Sequence, residues 1–374
     1  MFEIPGLKAA EGGVGRAMAG AALGLFAVVA PAAWGQGGGD SDFQARCSGP
    51  GVIRCYGFDD LVDLTTGHPR TLTDPPDSTD SRMHDPWDGP GRCTGGQCWA
   101  LDTTIRASGR SSLRFEIPSN SPSDTSGSFR LNFSDDFSQQ IGAGEEFYVQ
   151  YRERFSPEMM RVFQTTDGQP TGWKQSIVGL GDRVGEAVAN SCTAEEMVFQ
   201  QITRYMGPGF YHGCGFWESM DFWDGVQVRM QHQGPPYCYY PDDPHGACFR
   251  YRADEWMTFK QHVVIGGWGT HPDNRVRVWA AYQGQPSVRI FDSVHSHPGG
   301  FPIHHTDATA KYGKVWLLPY HTRKDPDEVH PTAHVWYDEL IISRRDIPDP
   351  GTIGALFADG FESGGTSAWS AVVP

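Results

Sequence analysis

From Ser111 to about residue 343 the chain is a succession of short segments in which apolar and polar positions alternate, separated by clusters of glycine, proline, aspartate and asparagine. A period of two sends successive side chains to opposite faces of an extended strand, so this alternation predicts strands with one buried and one wet face. Ten strands are predicted, over residues 112–117, 128–133, 146–155, 173–180, 197–205, 226–232, 256–265, 276–282, 314–319 and 334–343. In 128–133, Phe129, Leu131 and Phe133 share one parity while Arg130 and Asn132 share the other. Around 314–319, Tyr312, Lys314, Trp316 and Tyr320 share parity against Val315 and Leu317. Nowhere does a 3.6-residue apolar period run long enough for a major helix.

Many strands without intervening helices bury one face each by closing as a sandwich or a barrel. No repeat of propeller-blade length is present, and 46 glycines with 27 prolines suit a chain made of turns. The expected fold is all-β, a large two-sheet jelly-roll sandwich over residues 50–348 with a concave face and long disulfide-pinned loops.

The ends read differently. Lys8 and Arg16 precede an Ala/Gly-rich apolar run over 17–33, with Ala33 and Gly35 flanking Trp34. That is the pattern of a secretory signal peptide, residues 1–35, and the run is shorter than the roughly 20 residues that span a bilayer. Residues 36–49 read as a flexible linker, 65–96 as a long polar loop, and 349–374 as a tail set off by Pro348, Pro350 and Gly351. The tail resembles a short terminal segment of many exported proteins. The expected product is secreted, extracellular or periplasmic, with no membrane span after cleavage.

All eight cysteines lie beyond the signal, an even count that reads as disulfides in an exported chain. Sequence neighbours suggest Cys47 with Cys55, Cys93 with Cys98, Cys192 with Cys214 and Cys238 with Cys248. Zinc is disfavoured, because no closely spaced pair of CxxC units occurs. The net charge of −15 disfavours nucleic acid and anionic membranes as partners. An acidic polysaccharide meets the same repulsion unless arginines and lysines gather on one face.

Common hydrolase patterns are absent: there is no G-x-S-x-G elbow and no H-E-x-x-H. Glu218 and Asp221 are the nearest approach to a glycosidase pair, but their odd spacing sends them to opposite faces of a strand. His295, His297, His304, His305, His321, His330 and His334 cluster loosely. Three on neighbouring loops could ligate a metal, although the surrounding Gly and Pro favour exposed loops. His232 and His262 lie within predicted strands and become base candidates if they face the cleft. No cofactor is required, and a structural calcium among the many aspartates stays open.

Arg130, Leu131, Asn132 and Phe133 approximate the R-x-E-L strand of the jelly-roll polysaccharide lyases, the concanavalin-like group of alginate, glucuronan and heparin lyases, with Asn in place of Glu. Tyr312, Gly313 and Lys314 match the start of that family's Y-x-K-x-G-x-Y strand. Position 318 is Leu, and the nearest second tyrosine is Tyr320. The family's Q-x-H strand has two counterparts, Gln175 to Ile177 and Gln201 to Thr203, neither carrying the His. The chain is therefore similar to that group over about residues 50–348.

The resemblance implies a lyase that cleaves a uronate-containing glycan by β-elimination. Removing the proton beside a uronate carboxylate needs that charge neutralised, a role for Arg130 with Asn132 or Gln175 donating hydrogen bonds. Tyr320 then acts as base, acid or both, its phenol made more acidic by Lys314. Asn132, Gln201, Arg204, Tyr312 and Trp316 complete the substrate-binding set. A non-catalytic carbohydrate-binding or cell-surface protein with aromatic platforms is the second reading, and a glycoside hydrolase the third. Against these stands the plain alternative in which Arg130 is a solvated strand residue, Tyr320 and Trp316 only pack, and Lys314 is simply exposed.

Overall fold

The computed structural model describes residues 41–60, 83–84, 93, 98–123, 126–162, 172–183, 195–202, 207–212, 248–295, 298–303, 311–321 and 324–351. Its contacts divide the chain into Met1–Gln36 and Gly37–Pro374, and every described residue belongs to the second unit. The expected signal peptide, predicted strand 226–232, most of loop 65–96 and the tail from 352 lie outside the described residues. So do Arg204, Glu218, Asp221, His232, His297, His304 and His305.

Helix α1 (Ser41–Cys47) leads into β1 (Val52–Tyr56), β2 (Met83–His84), β3 (Trp99–Asp102), β4 (Ser112–Ile117), β5 (Ser128–Asn132) and β6 (Glu145–Phe155). A short helix α2 (Pro157–Val162) precedes β7 (Gly172–Leu180), β8 (Met197–Ile202), β9 (Gly207–His212) and β10 (Met257–Ile265). The described chain ends with β11 (Gly269–Thr270), β12 (Arg275–Tyr282), β13 (Val288–Asp292), β14 (Pro302–Ile303), β15 (Tyr312–His321) and β16 (Ala333–Ser343).

Two main sheets result. An eight-stranded sheet runs β13-β12-β10-β6-β16-β4-β3, with β1 also paired to β16, and a six-stranded sheet runs β2-β5-β15-β7-β8-β9. Strands β11 and β14 pair separately. Every ladder in the two main sheets is antiparallel. The expected all-β sandwich is the fold.

Alternation does the work that the sequence pattern implies. Phe129 and Leu131 of β5, Phe147, Val149 and Tyr151 of β6, and Phe259 and Val263 of β10 are inaccessible to solvent and share one core. Aromatic rings tie the layers together: Phe133 lies 5.7 Å from Phe147, and Phe199 lies 5.1 Å from Phe259. Each such buried side chain contributes about 2 kcal/mol through surface removed from water.

Three boundaries need correction. The predicted strand 197–205 stops at Ile202, and Gly207–His212 forms a further strand whose Gly-Pro-Gly start reads as a turn. Strand β16 is irregular between Asp338 and Ile341, with Glu339 at φ +51°, so Tyr337 and then Leu340 and Ile342 all reach the core. The linker expected over 36–49 contains α1, which is docked rather than loose. Seven residues make no stable helix alone. Phe43 packs with Cys55, Ile341 and Ile347, while Arg46 bonds to the Glu339 carboxylate and, at 2.9 Å, to Gln150. Arg152 reaches the same Glu339 at 3.3 Å. Local composition hides this helix because its stability comes from the sheet beneath it.

Cys47 bonds to Cys55, and Cys93 to Cys98, as expected. Cys248 is also disulfide-bonded; Cys192, Cys214 and Cys238 lie outside the described residues. Among the described residues no helix is long and apolar enough to cross a membrane.

Arg46 and Glu339 both have fully buried side chains, so removing the cation leaves Glu339 with Arg152 alone. Arg46→Met is expected to destabilise the protein by about 3 kcal/mol in chemical denaturation. An unchanged midpoint would show that α1 is not held by this ion pair.

Candidate functional site

The outer face of the six-stranded sheet is decided where β7 and β15 pair. Tyr312 faces Leu180, but Lys314 faces Gly179, so Gly313 is an extra residue on β15. A Cβ on Gly181 or on Gly313 would lie 2.9 Å from the Cα of the other, which is why both are glycine. Further along, Leu317 faces Ser176 while Tyr320 faces Lys174, a second irregularity beside Pro319. Across β7, Lys174 faces Gln200 and Ser176 faces Phe199, so Gln175 is bulged as well.

These bulges redistribute the predicted site. Tyr312 turns inward: it is 1% exposed, its ring lies 5.6 Å from Phe147, and its hydroxyl donates to the Glu195 carbonyl at 2.7 Å. Gln175 also points between the sheets, donating to Glu153 and accepting from the Tyr251 hydroxyl, each at 2.5 Å. Burial holds the Glu153 carboxyl well above the usual range. Neither Tyr312 nor Gln175 can touch a glycan on the outer face, contrary to expectation.

Lys314 does face outward, but it is 3% exposed rather than free in solvent. Its ammonium bonds to Asp182, and Asn132 grips the same residue, donating to its carboxylate at 2.8 Å and accepting from its backbone N–H at 3.0 Å. Trp316 is 4% exposed and packs with Ile177, Val198 and Tyr211, so it is no open platform. Arg130 is half-buried opposite Trp316. Four residues of strand, roughly 13 Å, separate Trp316 from Tyr320, and six, roughly 20 Å, separate Lys314 from it. The expected convergence of Arg130, Gln175 and Lys314 on Tyr320 does not occur. Gln201 lies in β8, and its side chain is outside the description.

What stands beside Tyr320 is Lys174, both half-buried and directly opposite across the β7–β15 ladder. The Lys174 ammonium nitrogen lies 5.0 Å from the Tyr320 ring centre and 5.9 Å from that of Tyr211 on β9. Burial pulls the Lys174 pKa below its ordinary value, against the opposing pull of Glu196. Burial, the Glu196 charge and Tyr320 push the Tyr211 phenol well above its ordinary value. The next residue of each strand faces the core, where His321 stacks on Trp173 at 4.4 Å. Burial, with Lys324 adding, pushes His321 down to about 3, so the layer under the pair is uncharged.

Sequence reasoning missed Lys174, Tyr211, Glu196 and Asp182. Lys174 did carry a signal, as the lone charge in the otherwise uncharged segment 172–180. Tyr211 was hidden behind Gly207, Pro208 and Gly209. His262 belongs to the other sheet, on β10, bonded to Glu146 at 2.8 Å, and so does not face this site. His321 and His330 are buried rather than on exposed loops. Among the described residues no three His, Cys, Asp or Glu side chains gather as a metal site.

No family model matches the sequence, and no curated protein matches it. Solved structures similar to this chain include polysaccharide lyases and the binding domain of botulinum neurotoxin serotype C1. The marine PL-14 alginate lyase from Aplysia kurodai is 11% identical, covering 78% of this chain and 98% of its own, with a TM-score of 0.46. Alginate lyase Aly36B is 12% identical over 79% of this chain and 96% of its own, with a TM-score of 0.42. An endo-β-1,4-glucuronan lyase from Trichoderma reesei is 11% identical over 76% and 98%, with a TM-score of 0.40.

Buried Asp182 is held by a buried lysine, so Asp182→Ala is expected to strand the Lys314 charge and destabilise the fold by about 3 kcal/mol or more. Adding Lys314→Met to that variant should recover much of the loss, a non-additivity readable from denaturant midpoints. Independent, additive effects would contradict a coupled pair.

Proposed function

We propose that the protein is a secreted polysaccharide lyase that cuts a uronate-containing glycan by β-elimination at Lys174 and Tyr320. The observation that carries this reading is the half-buried Lys174 amine, with a pKa lowered by burial, between two phenols on the outer face of the sheet. A base for a weakly acidic carbon needs a free lone pair, and desolvation shifts Lys174 in that direction by disfavouring the ammonium.

In the proposed step the neutral Lys174 amine takes the proton from the carbon beside the uronate carboxylate. The electron pair of that C–H bond forms a carbon–carbon double bond to the neighbouring ring carbon. The bond from that neighbour to the glycosidic oxygen breaks, and the oxygen leaves with the proton of the Tyr320 hydroxyl. Tyr211, 7% exposed and packed with Trp316, flanks the Lys174 amine as a neutral phenol, its pKa raised by burial and by Glu196. The product carries an unsaturated uronate at its new non-reducing end. Arg130 remains in this account as a contact for sugar units further along the chain.

The non-catalytic binding reading rests on aromatic platforms, and the burial of Trp316 speaks against it. The glycosidase reading rests on Glu218 and Asp221, outside the described residues.

Purified mature chain incubated with alginate, glucuronan and heparin should raise the ultraviolet absorbance of the unsaturated product with at least one polymer. Lys174→Met and Tyr320→Phe should each cut kcat by about a hundredfold or more, with KM little changed. Because the base is active only when deprotonated and its pKa lies below 10.5, kcat should rise with pH on a limb below that value. No absorbance change with any of the three polymers, or full activity in Lys174→Met, rules the proposal out.

A further inference from the structure

The eight-stranded sheet carries a second set of outward side chains that the proposed chemistry does not use. Tyr148 of β6, His262 of β10, Arg277 of β12 and Asp292 of β13 face one another in register, forming one row across four strands. The neighbouring row holds Lys260, Trp279 and Arg289. Strands lie about 4.8 Å apart, so the first row is roughly 14 Å long. Val276, Val278, Ile290 and Phe291 between them point into the core, which fixes these rows on the outer surface.

The row is rigid. The Tyr148 ring lies flat on His262, 4.0 Å apart and 6° from parallel, and Trp279 follows at 6.4 Å and 28°. His262 donates from Nε2 to Glu146 at 2.8 Å and accepts at Nδ1 from Arg277 at 3.0 Å, which settles its neutral tautomer. At the far end three guanidiniums surround one carboxylate. Arg275 holds Asp292 with two bonds of 2.8 and 2.5 Å, Arg289 reaches it at 3.1 Å and Arg277 at 3.7 Å.

Among the described residues no other acid lies within ion-pair reach of these three arginines. Around Asp292 the described guanidiniums exceed the described carboxylate by two, in a chain whose net charge is −15. Burial and the charge of Arg275 push the Arg277 pKa down, with Arg289 adding, as expected where cations crowd. The side chains of Arg277 and Arg289 are 22% and 44% exposed.

From this geometry we infer a second, non-catalytic binding site on the sheet opposite Lys174, which takes a stretch of carboxylated polysaccharide lengthwise along Tyr148, Trp279, Arg277 and Arg289. Guanidinium forks match carboxylates two bonds at a time, and the edges of the stacked rings add apolar contact beside them. Glu146 at one end, and Asp346 beside Lys260 at 2.8 Å, confine the positive strip to a narrow track. A chain with one carboxylate per sugar suits such a track better than duplex DNA, which carries a charge every ~1.7 Å of its axis. The site stands or falls separately from the elimination reaction, since it concerns binding alone.

The test is affinity electrophoresis of the full mature chain in gels containing alginate, in a Lys174→Met background so that the polymer stays intact. Arg277→Gln with Arg289→Gln should weaken apparent affinity about tenfold, the scale of one or two charge-assisted hydrogen bonds. Arg289→Gln alone leaves both Arg275 bonds to Asp292 in place, so it tests the site in a protein that keeps its fold, and a smaller loss is expected. With Lys174 intact, the double variant should cut a tetrasaccharide at the normal rate and the polymer more slowly. Unchanged mobility of both variants in alginate overturns the site, as does equal retardation of the unsubstituted protein by a neutral glucan or by single-stranded DNA.

Discussion

The hydrogen-bonded register between Gly172–Leu180 and Tyr312–His321 decides what this protein can do. A regular ladder would put Tyr312 and Lys314 on one surface with Tyr320. The extra residue at Gly313, allowed by the contact of two glycines, sends Tyr312 into the core and leaves Lys314 to neutralise Asp182. The bulges at Gln175 and beside Pro319 then bring Lys174 opposite Tyr320 while Gln175 is bonded inside. Small irregularities in two strands thus separate the Lys314–Asp182 end of the sheet from the Lys174–Tyr320 end.

Burial sorts the charges in the same way. Lys314 and Lys174 stand on the same sheet, yet one meets a carboxylate it cannot leave and the other meets two aromatic rings. The first is ion-paired with Asp182. In the second, desolvation favours the neutral amine, the form that chemistry can use. On the opposite sheet, among the described residues, Arg275, Arg277 and Arg289 share the one carboxylate of Asp292.

The nine predicted strands that fall on described residues all form, because strand alternation is enforced by the core, whereas β1, β3, β9 and β13 carry too short a pattern to be foreseen. Residues 112–117 and 128–133 were read almost to their observed limits, and Phe129, Leu131 and Phe133 lie where parity put them. Helix α1 was not legible, since Arg46 finds Glu339 across 293 residues of chain. The site was legible only in part. Tyr320 was named, but parity counted through Gly313 and Gln175 misplaced its neighbours, because a bulge leaves no mark in the apolar pattern. Asp182 could not be foreseen as the partner of Lys314, since that pairing depends on where a strand ends in space.

The central claim is that Lys174 is a desolvated amine whose protonation state serves a substrate at Tyr320. Its most direct test is an NMR titration of isotopically labelled lysine side chains in Tyr320→Phe protein, with Lys174 assigned by its loss in a Lys174→Arg variant. The account predicts that this resonance titrates at lower pH than the surface lysines and moves when a uronate tetrasaccharide is added. A Lys174 signal that titrates with the others and ignores the oligosaccharide would contradict it.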